Sequence, residues 1–304
     1  MHKNSHQIRI TKASGELDFY DRDKLIQSMV RSGSSSDSAE QVAQEIEKDL
    51  VEGLSTRKIY QKAFKLLRQK SVHVASQYNL KQAVMHLGPS GYPFEEFVGE
   101  LFKSEGYDVK IGQILSGKCV NHEVDVIAYK ENYVIVCECK FKNQAGSKTD
   151  VKVSMYVHSR FRDLAPIIEA QNGEFLRQME LGPFNKSNQI APDYNPDRPI
   201  NFQGCIVTNA KFTLDAIQYG NCADINLIGW DHEGKNSLIE MIRRSKRMPI
   251  TLLKTISTNE IHRLLDRGIT ICRELLKNID IVDEMGIDRS KKQRLIAELE
   301  KIIS

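Results

Sequence analysis

The sequence predicts an α/β protein with three regions: an N-terminal α-rich region carrying a β-hairpin, a central mixed β-sheet flanked by helices, and a small C-terminal helical region. Three observations predict it. Short segments alternating apolar and polar residues mark strands, above all 124–129 and 133–141. Between residues 94 and 230 the patterns run helix, three strands, helix, strand, helix, strand, the order of a mixed sheet with helices on its faces. From Ser237 onward only helical patterns appear.

The N-terminal elements follow from local chemistry. Ile8-Arg9-Ile10-Thr11-Lys12 alternates, Ser14-Gly15 signals a turn, and Leu17-Asp18-Phe19-Tyr20 resumes the alternation, which together read as a hairpin. Asp21 caps a helix reaching Val30, and the serine-rich stretch 32–38 is a loop. Val42, Ile46 and Leu50 share one face of a helix over 39–51. Ser55 and Thr56 cap the next, over 57–69, and another spans 72–87. Gly88-Pro89-Ser90-Gly91-Tyr92-Pro93 then breaks the helical pattern and marks a domain junction.

In the central region an amphipathic helix over 94–103 precedes a strand over 107–111. Two strands surround the tight link Lys130-Glu131-Asn132, and a helix covers 151–168. Residues 170–199 are polar and Pro-rich. A strand over 202–208, a helix over 213–220 and a strand over 225–230 complete the sheet. Beyond it, helices over 258–267, 269–278 and 290–303 are punctuated by Gly268-Ile269 and Gly286-Ile287. The expected domains are thus 1–90, 91–245 and 246–304.

Composition narrows the classes. The 304 residues are 40% hydrophobic and 27% charged, ordinary for a soluble globular chain, and the formal net charge of +3 is too small to argue for a nucleic-acid partner. No run of about eighteen apolar residues exists, so no transmembrane helix and no membrane partner are expected. The N-terminus lacks the apolar stretch of a secretory signal. The six cysteines form no CxxC pair and no disulfide-framework spacing, which fits a reduced, cytoplasmic setting. A motor NTPase is excluded by the absence of a G-x-x-x-x-G-K-[ST] loop.

The chemistry concentrates in the strand Tyr133-Val134-Ile135-Val136-Cys137-Glu138-Cys139-Lys140. Its period of two puts Glu138 and Lys140 on the side of Val134 and Val136. A Glu and a Lys at the end of a buried strand are costly unless paired or bound to a ligand. A short hairpin can set Asp125, thirteen positions earlier, beside Glu138. Two convergent carboxylates make a hard oxygen site suited to Mg²⁺, and Lys140 can steady charge developing on a phosphate. By spacing alone, a strand-end ion pair with a turn aspartate is the commoner outcome. The flanking apolar strands and the element order raise the nuclease reading, with Glu95 as a further carboxylate.

Phe94-Glu95-Glu96-Phe97-Val98, Gly106-Tyr107, Glu123-Val124-Asp125-Val126-Ile127-Ala128 and Val136-Cys137-Glu138-Cys139-Lys140 resemble the catalytic core of the PD-(D/E)XK nucleases, nearest the Mrr-like restriction endonucleases. Val207-Thr208-Asn209 with Phe212-Thr213 and Ala216 is similar to that branch's closing strand and helix, so the resemblance covers about residues 93–242. It implies a Mg²⁺-dependent endonuclease, with Mn²⁺ as the alternative ion, acting on double-stranded DNA. It further implies Asp125 and Glu138 as metal ligands, Lys140 as the catalytic lysine and Glu95 as an accessory acid. Asn121-His122-Glu123 stands where related proteins often carry glycines. His122 or Glu123 would then touch the metal or DNA, or be surface residues, the reading favoured here.

Ile10-Thr11-Lys12, Gly15, Tyr20-Asp21-Arg22-Asp23-Lys24-Leu25, Leu54-Ser55-Thr56, Ile59-Tyr60 and Tyr78-Asn79-Leu80-Lys81 resemble the ATP-cone, a regulatory nucleotide-binding domain of ribonucleotide reductases and of their transcriptional repressor. The resemblance covers about residues 7–88 and implies ATP or dATP as an effector, contacted by Lys12, Lys24, Leu25 and Thr56. Ala13 departs from the pattern, removing a basic residue from the phosphate side.

At the C-terminal end, Arg243, Arg244, Lys246 and Arg247 form one basic cluster and Arg289, Lys291, Lys292 and Arg294 another. The second follows a Gly-Ile turn that can offer backbone N–H groups to DNA phosphates; a helical cap with solvated charges accounts for it equally well. Trp230, beside His232 at a strand end, reads as core packing. The whole sequence is read as a restriction or defence nuclease under nucleotide control; cutting both strands with one site per chain would favour a homodimer. The alternatives are a repair or junction-processing nuclease and a catalytically silent, nucleotide-sensing DNA-binding regulator.

Overall fold

A computed structural model describes residues 8–12, 15–144, 146–181, 199–231 and 237–304. Ala13, Ser14, His232 and most of the polar stretch after residue 181 lie outside the described residues. The fold is mixed α/β with a mixed sheet and a helical C-terminal region. Among the described residues no helix is long and apolar enough to cross a membrane.

The chain divides into two compact units. The first joins residues 1–83 with 250–261 and 272–304; the second comprises 84–249 and 262–271. The C-terminal helices, read from sequence as part of a separate domain over 246–304, therefore fold largely within the first unit.

In the first unit, strands β1 (Arg9–Thr11) and β2 (Leu17–Phe19) form the expected hairpin, and β3 (Leu54–Ser55) adds to β1 in parallel. Helices α1 (Arg22–Val30), α2 (Ser36–Glu47), α3 (Thr56–Lys70) and α4 (Val72–Tyr78) begin at Asp21, Ser35, Ser55 and Ser71, whose side chains each accept a first-turn N–H. Ser35 explains why α2 starts earlier than its apolar pattern: the serine run conceals a cap. Ala39, Val42, Ala43 and Ile46 of α2 meet Ile59, Ala63 and Leu67 of α3 in one core. The helix expected over 72–87 is divided into α4 and α5 (Leu80–Met85) at Asn79. The Asn79 backbone leaves helical geometry (φ −86°, ψ 0°), and its side-chain oxygen accepts the Tyr60 hydroxyl at 2.8 Å.

Glu298 explains why the C-terminal chain belongs here. It lies on α14 (Arg289–Ile303), is 6% exposed, and accepts the backbone N–H groups of Lys254 (3.0 Å) and Thr255 (2.8 Å). It also takes the Arg68 guanidinium of α3 at 2.6 Å. One buried carboxylate thus ties three distant segments, each donor supplying charge-assisted hydrogen bonding that offsets desolvation.

The second unit is built on a five-stranded sheet in the order β10-β8-β6-β5-β4. These are β4 (Asp108–Ser116), β5 (Asn121–Lys130), β6 (Tyr133–Lys140), β8 (Asn201–Thr208) and β10 (Asn226–Ile228). β4, β5 and β6 pair antiparallel, whereas β6, β8 and β10 are parallel. The parallel pairings require crossovers, supplied by α7 (Val151–Gln171) and α9 (Leu214–Cys222). A minor pair, β7 (Lys148–Thr149) and β9 (Lys211–Phe212), was not legible in the sequence.

One sheet face carries Val134, Val136 and Ile206 into a core with Val157, Phe161, Leu164 and Ile168 of α7. Gly204 allows this approach: a Cβ there would lie 2.3 Å from the Phe161 ring. α6 (Tyr92–Ser104), with Pro93 in its first turn, buries Phe94, Phe97, Val98 and Leu101 and packs on β4 and β5. Trp230 is buried, as expected of a core residue.

Candidate active site

The β5–β6 hairpin turns through Glu131, whose φ of 57° makes the connection tight. Its register runs from Lys130 with Tyr133 to Val126 with Cys137, and Asp125 and Glu138 are the residues next beyond that last pair. The Cys139 N–H donates to Asp125 Oδ2 at 2.6 Å, fixing the carboxylate against β6. Alternation along β5 breaks at Asp125. Ile127 and Tyr129 on one side of it, and Val124 on the other, all reach the same core. On β4, between the residues paired with Val124 and Val126, sits Gly112 at φ 62°, a backbone position that favours glycine.

Glu138 is 5% exposed, yet both its oxygens are engaged. Lys140 Nζ lies 2.5 Å from Oε1, and Arg160 of α7 lies 2.5 Å from Oε2. The Arg160 guanidinium also donates to the Glu123 carbonyl and sits over the Tyr156 ring. Sequence reasoning missed Arg160. Its signal was an arginine three residues after Val157 and four before Leu164, at the border of the buried stripe of α7.

The backbone after Lys140 is held by neighbours from β8. Thr208, fully buried, donates to the Lys140 carbonyl at 2.7 Å. Asn209 accepts the Lys142 N–H at 2.7 Å and donates to the Lys142 carbonyl at 2.8 Å. These residues belong to the Val207-Thr208-Asn209 motif.

Electrostatics bring Glu95 of α6 into the same group. Burial, followed by the charges of Asp125, Glu123 and Glu138, pushes its carboxyl up to about 7, against the pull of Lys140. Burial and Glu138 likewise push Asp125 up to about 6, while the Cys139 N–H, Lys140 and Arg160 pull it down. The four residues expected to act together, Glu95, Asp125, Glu138 and Lys140, are therefore one electrostatic cluster. Among the described residues no group of three or more His, Cys, Asp or Glu side chains forms a ready cage for an ion. The donor chemistry nevertheless suits a hard divalent cation, because mutual repulsion between carboxylates is what such an ion relieves.

His122 has a structural role. Its Nε2 lies 2.8 Å from Asp163, which also accepts the Cys119 N–H at 2.9 Å and the Val120 N–H. Hydrogen bonds from His122 and Cys119 hold the Asp163 carboxyl down at about 2. This contact fastens α7 to β5 one turn beyond Arg160. The Glu123 side chain is exposed.

At the first unit, the β1–β3 register pairs Ile10 with Leu54 and Thr11 with Ser55, so Lys12 follows the last paired residue of β1 and Thr56 opens α3 directly after β3. Lys12 Nζ pairs with Asp18 at 2.8 Å, and Lys24 lowers the same Asp18 carboxyl. Leu25 packs into the core edge. Of the C-terminal basic residues, Arg289 and Arg294 are exposed. Lys291 pairs with Glu260 at 2.7 Å, and Lys292 bridges Asp280 (2.8 Å) and Asp283 (2.7 Å). The N–H groups of Gly286 and Ile287 donate to Asp283 and Val282 carbonyls in a helix C-cap, the second of the two readings the sequence allowed for this turn. Gly268 and Ile269 repeat the same cap. In the other basic cluster Arg243 pairs with Glu240 at 2.8 Å and Arg244 with Glu105.

Fold and site together describe a mixed α/β unit with a buried carboxylate–lysine cluster at one end of its sheet. Comparison with known proteins finds similar chains whose descriptions give no function. Residues 248–303 match the family described as AF1548-like, C-terminal. An uncharacterized protein of Archaeoglobus fulgidus is 29% identical over 208 residues, 68% of this chain and 99% of that protein. The crystal structure of AF1548, a protein of unknown function, matches with a TM-score of 0.52 and 26% identity, covering 70% of this chain and 98% of that one.

Proposed function

We propose that this protein is a divalent-metal-dependent deoxyribonuclease of restriction or defence type, regulated by ATP or dATP bound in its first unit. One observation carries the reading: Glu95, Asp125 and Glu138 share a poorly hydrated end of the sheet with Lys140, and two of the three carboxyls are pushed up to about 7 and about 6. Perturbed carboxyls of this kind concentrate at catalytic sites. Asp125 and Glu138 would hold Mg²⁺ or Mn²⁺, which supplies Lewis-acid polarisation of a phosphodiester and an acidified water. Lys140, tethered through Thr208, offers an ammonium to the charge that grows on the phosphate. Glu95 is suited to accept a proton near neutral pH.

The nucleotide part rests on the hairpin resemblance, on β1 pairing with β3 just before Lys12 and Thr56, and on Asp18, which pairs with Lys12 and is lowered by Lys24. Arg289 and Arg294, both exposed, remain available to DNA phosphates. A second reading, a silent nuclease fold in a nucleotide-sensing DNA-binding regulator, is favoured by the double pairing of Glu138 with Lys140 and Arg160.

The test is plasmid cleavage with Mg²⁺, with and without ATP or dATP, on methylated and unmethylated DNA, comparing wild type with Asp125→Ala and Lys140→Ala. Cleavage by wild type alone is expected, with a loss of at least about a hundredfold in the Lys140 variant. DNA binding without cutting by all three proteins favours the regulator. Calorimetry with ATP tests the first unit, and absence of binding at millimolar nucleotide by folded protein removes the sensing role.

A further inference from the structure

The nuclease reading assigns Asp125, Glu138, Lys140 and Glu95, and leaves Arg160 without a part. Its surroundings are unusual for an arginine. The side chain is 13% exposed, projects from the border of the apolar stripe of α7, and meets Glu138 Oε2 at 2.5 Å. Its other nitrogen donates to the carbonyl of Glu123, two residues before Asp125. A guanidinium is always charged, so it cannot escape burial by losing its proton. Here it serves as the positive charge that the carboxylates need, on the oxygen of Glu138 that Lys140 leaves free.

A divalent cation on Asp125 and Glu138 would compete with this arrangement. It needs the lone pairs of Glu138 now taken by two cations of the protein itself, and it would repel a guanidinium only ångströms away. The displaced group would remain beside the catalytic cluster, because Asp163 bolts α7 to His122 and to the backbone of Cys119 and Val120 one turn further on. The nearest new anion would be a phosphate of the substrate, for which a planar guanidinium offers paired donors.

We infer that Arg160 is an exchangeable internal counter-ion: it closes the carboxylate pair in the metal-free protein, leaves Glu138 when a divalent cation binds, and then holds a phosphate of the DNA. The inference rests on the metal-dependent reading of the site. It assigns Arg160 as a substrate-binding residue of the cluster and explains why Glu138 is doubly paired without requiring the site to be dead.

The experiment titrates Mn²⁺ into wild type, Arg160→Gln and Asp125→Asn, following free Mn²⁺ by electron paramagnetic resonance. Binding to Arg160→Gln should be at least about tenfold tighter than to wild type, since a unit of repelling charge is removed. Binding of DNA in Ca²⁺ by the same variant should be weaker, with the salt dependence reduced by about one counter-ion. Equal or weaker Mn²⁺ binding by Arg160→Gln overturns the inference while leaving the metal site standing. Absence of Mn²⁺ binding by both wild type and Arg160→Gln overturns the inference and the metal reading together. A measurement on wild type guards against a misfolded variant. The Arg160 side-chain NH signals, assigned by nitrogen-15 NMR, should exchange slowly with water in the metal-free protein and quickly once Mg²⁺ is added. Unchanged protection at saturating Mg²⁺ would refute the displacement.

Discussion

Replacing Asp125 with Asn should make the metal-free protein more stable at alkaline pH. In the folded protein the Asp125 carboxyl stands at about 6 against an ordinary value of 3.8. A group whose folded pKa exceeds its unfolded one binds more protons in the folded state, so stability falls as pH rises between the two values. Below about pH 4 both states are protonated and Asp125 behaves like a neutral side chain. Above about pH 6 the full penalty is present. A shift of this size corresponds to about 3 kcal/mol, an upper bound because the amide of Asn is also desolvated. Asn can still accept the Cys139 N–H, so the hydrogen bond now 2.6 Å long is kept. Urea unfolding in EDTA, followed by the fluorescence of Trp230, reports on this unit, which contains the chain's one tryptophan. The variant should gain at pH 8 and show no advantage at pH 4. Mg²⁺ at a hundred times its Kd should then stabilise wild type by about 2.7 kcal/mol and the variant by much less. An Asn variant less stable than wild type at pH 8 without metal, or equally stabilised by Mg²⁺, would refute the repulsion argument.

Other outcomes follow from the same geometry. Mn²⁺ affinity should rise with pH from 5 to 8, because Asp125 and Glu95 ionise only above about 6 and about 7. Calorimetry in buffers of different ionisation heat should detect about one proton or more released per ion near pH 6. Gly204→Ala forces a Cβ to within 2.3 Å of the Phe161 ring and should lower stability by about 1–3 kcal/mol, read from the Trp230 transition. Glu298→Ala leaves Arg68 and two backbone N–H groups unpaired. It should cost the first unit about 3–5 kcal/mol, seen as early thermal unfolding, and unchanged melting would discount the clamp.

The sheet was legible because its strands are short apolar segments bounded by strong turn signals. Asp125, Glu138 and Lys140 could be assigned to one hairpin from spacing, since a two-fold period leaves few registers. Arg160 was not legible, because its contact with Glu138 joins elements whose packing depends on α7 crossing the sheet. The Gly-Ile turns were visible, but whether their amides were free was not: those of Gly286 and Ile287 close a helix end. The break at Asn79 was hidden because it depends on a hydroxyl from Tyr60, nineteen residues away. The C-terminal helices looked independent for a similar reason: Glu298 lies in the buried stripe of α14 with Leu295, Leu299 and Ile302, but its partners Arg68, Lys254 and Thr255 are distant in sequence.

The assembly of the first unit from both ends of the chain has a consequence for synthesis. On the ribosome, residues 1–83 emerge first but lack α14, so Arg68 has no carboxylate to meet until residue 298 has followed. The second unit, whose last segment ends at residue 271, has all its chain earlier. Domains fold as units in the order their segments become available. The carboxylate–lysine cluster thus has all its chain before the unit proposed to regulate it. A chain stopped short of α14 would carry the cluster without its companion, and the order of translation itself would then decide whether the cluster is ever unregulated.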